Sequence, residues 1–216
     1  MEQFISRAPM GRNTQEEMLD KFNIKELIEY ERYCRDYAHF DLQRTFYHDD
    51  AQVWTSWFKG GVDEFVSRSR KQVEENGRNP SKHKISNIIV WLNGNKAVAE
   101  CLCTIFIRDM MDDELIDLCS NLRLHYRVEK NEEGIWKIRS FQGIHEQDTL
   151  SSAFNDGRWS VPREEIQKFR PSFWNQLYRH HMYRPLGDTH QDDSVGEDMP
   201  EKVQNLYQES SRWLYE

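Results

Sequence analysis

The chain has 216 residues, which fits one domain with an appendage better than two full domains. Charged residues make up 31% of it, and the mean hydropathy of −0.89 leaves no stretch near the ~20 apolar residues of a membrane span, so a helical membrane protein is excluded. The 12% of aromatic residues excludes an unfolded polar chain, while 29 basic against 37 acidic residues argues against nucleic acid as a partner, because phosphate binding needs a cationic surface. Residues 14–39 read as a helix: Met18, Phe22, Leu27, Ile28 and Tyr33 recur at helical spacing with no Pro or Gly between them and predict one apolar stripe. Phe40 to Phe46 reads as a short second helix, His48-Asp49-Asp50 as a break, and AQVWTSWF as a strand ended by Gly60-Gly61. Val62 to Glu75 predicts a third helix that stops near Asn76-Gly77.

From His83 the pattern turns to strands. HKISNIIVWL and KAVAECLCTIFIR flank Asn93-Gly94-Asn95, a strong hairpin signal. Ser120 to Lys130 alternates Leu122, Leu124, Tyr126 and Val128 on one face, and NEEG turns it into GIWKIRSFQGIHEQ. Helices followed by an antiparallel meander make an α+β fold, with residues 1–150 as the domain and 151–216 as an extension packed on that domain or on a partner copy. In the extension, helices are expected at Ser172 to Met182 and Glu201 to Leu214, joined by a solvated acidic loop through Asp188, Asp192 and Asp193. Apolar residues on both faces of the His83 to Leu92 strand predict that a second copy covers the outer sheet face, giving a homodimer.

Cys34, Cys101, Cys103 and Cys119 form no CxxC pair and read as reduced thiols; Cys101 and Cys103 share a strand face with Ala97 and Ala99, small residues that leave room for a helix. MEQFISRAPMGRNTQEEMLDKF has no apolar core of a signal peptide, so the cytoplasm is the expected location. Phosphate-binding glycine loops, GxSxG, HExxH and EF-hand loops do not occur, and no cofactor is expected. His180, His181 and His190 among Asp188, Asp192 and Asp193 match a metal site in composition but not in ligand spacing. What remains is acid–base chemistry by His, Asp and Tyr.

Three segments in order, IKELIEYERYCRDYAHFDLQRTFYHDDAQVW, HKISNIIVWLNGNKAVAE and YRVEKNEEGIWKIRSFQGIHE, resemble the SnoaL-like branch of the nuclear transport factor 2-like superfamily over about residues 20 to 150. The resemblance implies a cone-shaped roll, a curved sheet wrapped around the N-terminal helices. That group includes scytalone dehydratase, bile-acid dehydratase, hexachlorocyclohexane dehydrochlorinase, polyketide cyclases and ketosteroid isomerase, besides proteins without catalysis. Its eliminating members place an Asp late in the first helix against a His at the head of the next long strand, and by position these are Asp36 and His83. A neutral imidazole takes a proton from carbon while the carboxylate fixes its tautomer. The competing reading makes Asp36 a helix-end carboxylate paired with Arg32 or Arg35, and His83 a surface residue.

The chain departs from its eliminating relatives around this pair. Arg35 stands where scytalone dehydratase has a tyrosine, its strand tyrosine falls near Thr55 and its second histidine near Arg108. Against bile-acid dehydratase, His145 replaces a last-strand arginine and Glu31 a tyrosine. Candidates to polarise a substrate oxygen are Tyr30, Tyr33, Tyr126, Arg108 and His145, each of which also has an ordinary packing role. Trp54 and Trp57 are candidates for an aromatic wall, but their spacing on one strand sends them to opposite faces, so at most one lines the cavity. The substrate expected of such a site is a small apolar or polycyclic molecule, transformed by a lyase or isomerase; the alternative is a binding module of the same fold.

Overall fold

A computed structural model describes residues 3–11, 13–77, 79–154, 156–157, 159–183 and 193–216. After a 3-10 turn at Phe4–Ser6, the chain runs α1 (Gln15–Asp36), α2 (Phe40–Thr45), β1 (Tyr47–Trp54), β2 (Lys59–Gly61) and α3 (Val62–Asn76). It continues through β3 (Ser81–Asn93), β4 (Lys96–Met111), β5 (Glu114–Lys130) and β6 (Trp136–Ser152). The extension adds α4 (Arg163–Ile166), α5 (Trp174–Tyr183), β7 (Val195–Gly196) and α6 (Pro200–Tyr215). The strands form one sheet in the order β2-β1-β6-β5-β4-β3, antiparallel except where β1 and the short β7 run parallel to β6. This is the expected α+β architecture, a curved, mainly antiparallel sheet with α1 and α3 against its concave face. Register shifts between Ser86 and Ile89, between Asn121 and Leu122, and between Arg127 and Val128 supply bends that a flat ladder lacks.

Local signals start and stop these elements. Thr14 opens α1 with a capping box: its hydroxyl accepts the Glu17 N–H at 3.1 Å, and the Glu17 carboxylate accepts the Thr14 N–H at 2.6 Å. Gly77, at φ 68°, closes α3 in the left-handed region. The predicted stripe is buried only in part: Ile28 is in the core and Leu27 packs against it, but Met18, Phe22 and Tyr33 are half-exposed. Asp20, Ile24, Glu31, Arg32, Arg35 and Asp36 point inward beside Ile28. Apart from Arg35, these buried charges are matched within the fold, which hides them from a hydrophobicity count. Asp20 accepts from the Trp136 indole at 2.8 Å and from Lys130 at 3.0 Å, and Glu31 accepts from Gln43 at 2.6 Å and Tyr47 at 2.8 Å. Ala97, Ala99, Cys101 and Cys103 lie in one buried cluster with Ile24 and Ile28 of α1.

Several boundaries move. β1 begins at Tyr47, so His48-Asp49-Asp50 belongs to it, and Gly60-Gly61 lies inside β2. β5 begins at Glu114, across a tight hairpin at Asp112 and Asp113, both at positive φ.

The extension straddles the sheet. On the concave side, Tyr178 of α5, with Trp159, Ile166 and Phe169, packs on Ile107, Met111, Ile116 and Leu118. On the convex side, Leu206, Tyr207 and Leu214 of α6, together with Phe4, cover Trp91, Val98 and Ile144. Part of the face expected to meet a second copy is therefore covered by the same chain, while Leu102 and Phe106 stay exposed. Beneath α6, His125 lies between Glu100 at 3.1 Å and the Ser210 hydroxyl at 2.8 Å, and the Tyr207 hydroxyl donates to Glu100. Of the predicted acidic loop, Asp188, His190 and Asp192 lie outside the described residues. Ser194 to Gly196 departs from that prediction: it is buried, and β7 pairs with β6.

Candidate functional site

The end of α1, α3, the concave sheet face and α5 enclose a cavity of about 330 Å³, at the small end of the usual range for small-molecule sites. Trp57, Phe65, Val73, Ile105, Leu122 and Phe141 give it apolar walls, and Arg32, Arg35, His83, His145, Gln176 and Arg179 give it polar points.

Asp36 and His83, 47 residues apart, meet at this cavity. The last turn of α1 brings Asp36 to the start of β3, where one carboxylate oxygen accepts the His83 backbone N–H at 2.6 Å and the other lies 2.6 Å from His83 Nδ1. Lys82 donates to the Asp36 carbonyl at 2.7 Å and fastens the same junction. Burial works against the Asp36 charge, yet the hydrogen bonds and charge of His83 outweigh it and hold the carboxyl below its ordinary range. Burial pushes the His83 imidazole below its ordinary value, against the pull of Asp36. At neutral pH the pair is therefore carboxylate and neutral imidazole. The proton sits on Nδ1, facing Asp36, and Nε2 keeps its lone pair for the cavity.

Three arginines line the same cavity. Glu31 engages Arg32 through two hydrogen bonds, one at 2.6 Å, and the Arg32 guanidinium lies over the Phe141 ring at 4.6 Å. Arg179 of α5 is paired with Asp109 of β4. Arg35 is also buried, and its Nη1 has no hydrogen-bond partner among the described residues. His145 stacks on Phe173 at 4.1 Å, neither ring nitrogen has a partner among the described residues, and burial with the nearby Arg170 pushes it down to about 3. α5 reaches the cavity because Asp148 of β6 holds its first turn, accepting the Gln176 N–H at 2.7 Å and the Asn175 side chain at 2.8 Å.

Of the residues expected from sequence, the structure brings Asp36, His83, Trp57 and His145 to the cavity. Trp57 faces it because β1 stops at Trp54 and residues 55–58 turn sharply, with Thr55 Oγ1 accepting the Phe58 N–H at 3.1 Å. Trp54 stays on the strand and lines a separate, shallower pocket with Gln142 and Val195. Tyr30 and Tyr33 do not line the cavity: each is 49% exposed on the outer side of α1, where they stack on each other at 5.9 Å. Arg108 is on the outer sheet face, bound at 2.6 Å through two nitrogens to Asp117. Tyr126 is buried behind the lining, stacked on Phe141 at 5.0 Å. Sequence reasoning missed Gln176 and Arg179, which no motif marks; the one signal was a polar-and-aromatic helix in a tail too short for its own core. His180 lines the cavity, whereas His181 lies against Phe169. Among the described residues no His, Cys, Asp and Glu cluster suits a metal ion, and no helix is long and apolar enough to cross a membrane.

Comparisons with known proteins agree with this architecture. No curated protein matches the chain in sequence. A solved structure from Novosphingobium aromaticivorans DSM 12444, described as a candidate scytalone dehydratase, is 18% identical, with a TM-score of 0.51 over 67% of this chain and 97% of its own. LinA is 13% identical, with a TM-score of 0.52 over 68% of this chain and 96% of its own. At these identities the likeness establishes the fold alone. A family profile, that of the SnoaL-like domain, matches residues 16–142, more than half of the chain and the whole span from α1 to the middle of β6. The chain belongs to the SnoaL-like domain family.

Proposed function

We propose that the protein is a small-molecule lyase or isomerase that removes a proton from carbon beside a carbonyl group, with His83 as base and Asp36 as its orienting partner. The observation that carries this reading is the largely buried Asp36–His83 contact at the wall of a mainly apolar cavity. In the proposed step the C–H bond breaks, its proton goes to His83 Nε2, and its electron pair forms an enolate. In an elimination that pair becomes a carbon–carbon double bond as the adjacent C–O bond breaks, and the imidazolium returns its proton to the leaving hydroxide to give water. In an isomerisation the same proton returns to a different carbon. Asp36 steadies the imidazolium and fixes the tautomer, and the apolar walls keep bulk water from quenching the enolate. A structural neighbour described as a candidate dehydratase supports the choice of elimination.

The test is hydrogen exchange and loss of water from hydroxy-ketones in D2O, followed by NMR. Catalysed exchange is expected with the native protein, and His83→Gln should slow it by about 100-fold or more, the scale for losing a positioned general base. Exchange that survives His83→Gln would remove His83 from the mechanism. If no ketone exchanges, and cavity ligands bind native and His83→Gln protein alike, the cone is a binding module.

A further inference from the structure

Arg35 is the unmatched charge of the cavity. Arg32 has Glu31 and Arg179 has Asp109, each a buried carboxylate facing a buried guanidinium. Arg35 is 6% exposed, lines the same cavity, and forms no ion pair among the described residues. The adjacent Asp36 favours the Arg35 charge from a distance but makes no hydrogen bond to it, its two oxygens being turned to His83. Burial and the like charge of Arg32 act against Arg35, pushing it down to about 10, so it is still a cation at neutral pH. A buried cation with an unused donor is strongly unfavourable unless something else meets it. A purely structural arginine would have been given a carboxylate, as its two neighbours are.

We propose that the ligand supplies that carboxylate: the cavity takes an organic acid, an apolar body carrying one anionic oxygen group, with Arg35 Nη1 binding the anion and Trp57, Phe65 and Phe141 holding the body. This rests on the cavity being the substrate site, as proposed above, and adds the charge of the substrate. His145 is the other cavity group without a partner that we can assign a role. It is neutral, so it answers a hydroxyl or carbonyl of the ligand rather than its charge. Arg35 lies near enough to His83 for its charge to lower the basicity of the imidazole. An acid group, or an enolate formed next to it, would therefore be held beside the base. A guanidinium fork suits that geometry better than a point charge.

The probes are 2-naphthoate and its neutral isostere 2-naphthamide, titrated into the whole chain at pH 7 and followed by tryptophan fluorescence and calorimetry. Naphthoate is expected to bind about 10- to 100-fold more tightly than the amide, the factor for a hydrogen bond to a charged group. Arg35→Gln should abolish the preference, Arg35→Lys should keep part of it, and His83→Gln should leave it intact. Without ligand, Arg35→Met should melt higher than the native protein, and naphthoate should raise the melting temperature of the native protein more than that of Arg35→Met. Equal binding of acid and amide, no naphthoate binding at millimolar concentration, or a preference that survives Arg35→Gln would each overturn the inference. Exchange by His83 is read out separately, so the proton-abstraction proposal stands or falls on its own result.

Discussion

Replacing Asp36 with asparagine separates the charge of the dyad from its shape. Both carboxylate oxygens are in use, each at 2.6 Å, one from the His83 backbone and one from Nδ1. Asparagine keeps one acceptor oxygen and turns the other into a donor, so the bond from the backbone becomes neutral and the one to Nδ1 survives, also neutral, only in the opposite ring tautomer. Two hydrogen bonds to a charged group contribute roughly 3–6 kcal/mol together and each neutral bond about 1, which puts the loss at about 1–5 kcal/mol. The new NH2 also favours the opposite tautomer, with Nδ1 accepting and the proton moved to Nε2. That would leave the cavity facing a donor instead of a base. Urea denaturation at pH 7 measures the first effect and 15N shifts of the His83 ring measure the second. The sign of the pH dependence follows from the lowered Asp36 carboxyl: its stabilisation is complete above the ordinary value of 3.8 and is lost as pH falls below it, so the native and variant curves should converge in acid. A loss under about 0.5 kcal/mol at pH 7 with Nδ1 still protonated would refute the reasoning.

Other perturbations reach different parts of the fold. His83 and His145 are both held neutral by burial, so native stability should fall as pH drops below 6.5, by up to about 1.4 kcal/mol per pH unit for each histidine; a flat profile between pH 6.5 and 5 would contradict this. Exchange catalysed by His83 should rise with pH and level off above a value lying below 6.5. Asp148→Ala removes the carboxylate that starts α5 and should cost about 1–3 kcal/mol, with hydrogen-exchange protection lost in Trp174–Tyr183 before the sheet. Gly196→Ala would drive a methyl group into Ser172 Oγ and Asp198 Oδ1, and a loss of roughly 1–3 kcal/mol in urea denaturation is expected. Ending the chain at Thr149 would expose Trp91, Val98, Ile144 and Leu118, and we expect aggregation; a soluble product with an unchanged melting temperature would show that residues 151–216 do not hold the fold together.

What the amino-acid order determined by itself is local. Thr14 and Glu17 cap α1, Asn93-Gly94-Asn95 turns β3 into β4, and the alternation of Leu122, Leu124, Tyr126 and Val128 sets the inner face of β5, because each depends on neighbours a few residues away. The resemblance carried Asp36 and His83 across their separation as a pair; no periodicity links them, and their contact exists only because the last turn of α1 packs on the start of β3. Tertiary structure decided what the pattern concealed or misdirected. Tyr30 and Tyr33 looked like pocket residues and point to solvent, since the face of α1 that turns inward is the one whose charges find partners on distant strands. The sharp turn after Trp54 decided which of the two tryptophans faces the cavity, and Asp148 drew α5 to the cavity wall. A buried charge cannot be told from a solvated one in sequence, because what distinguishes them is whether the fold brings a partner within hydrogen-bond reach. Arg32 and Arg35, three positions apart, received opposite answers to that question.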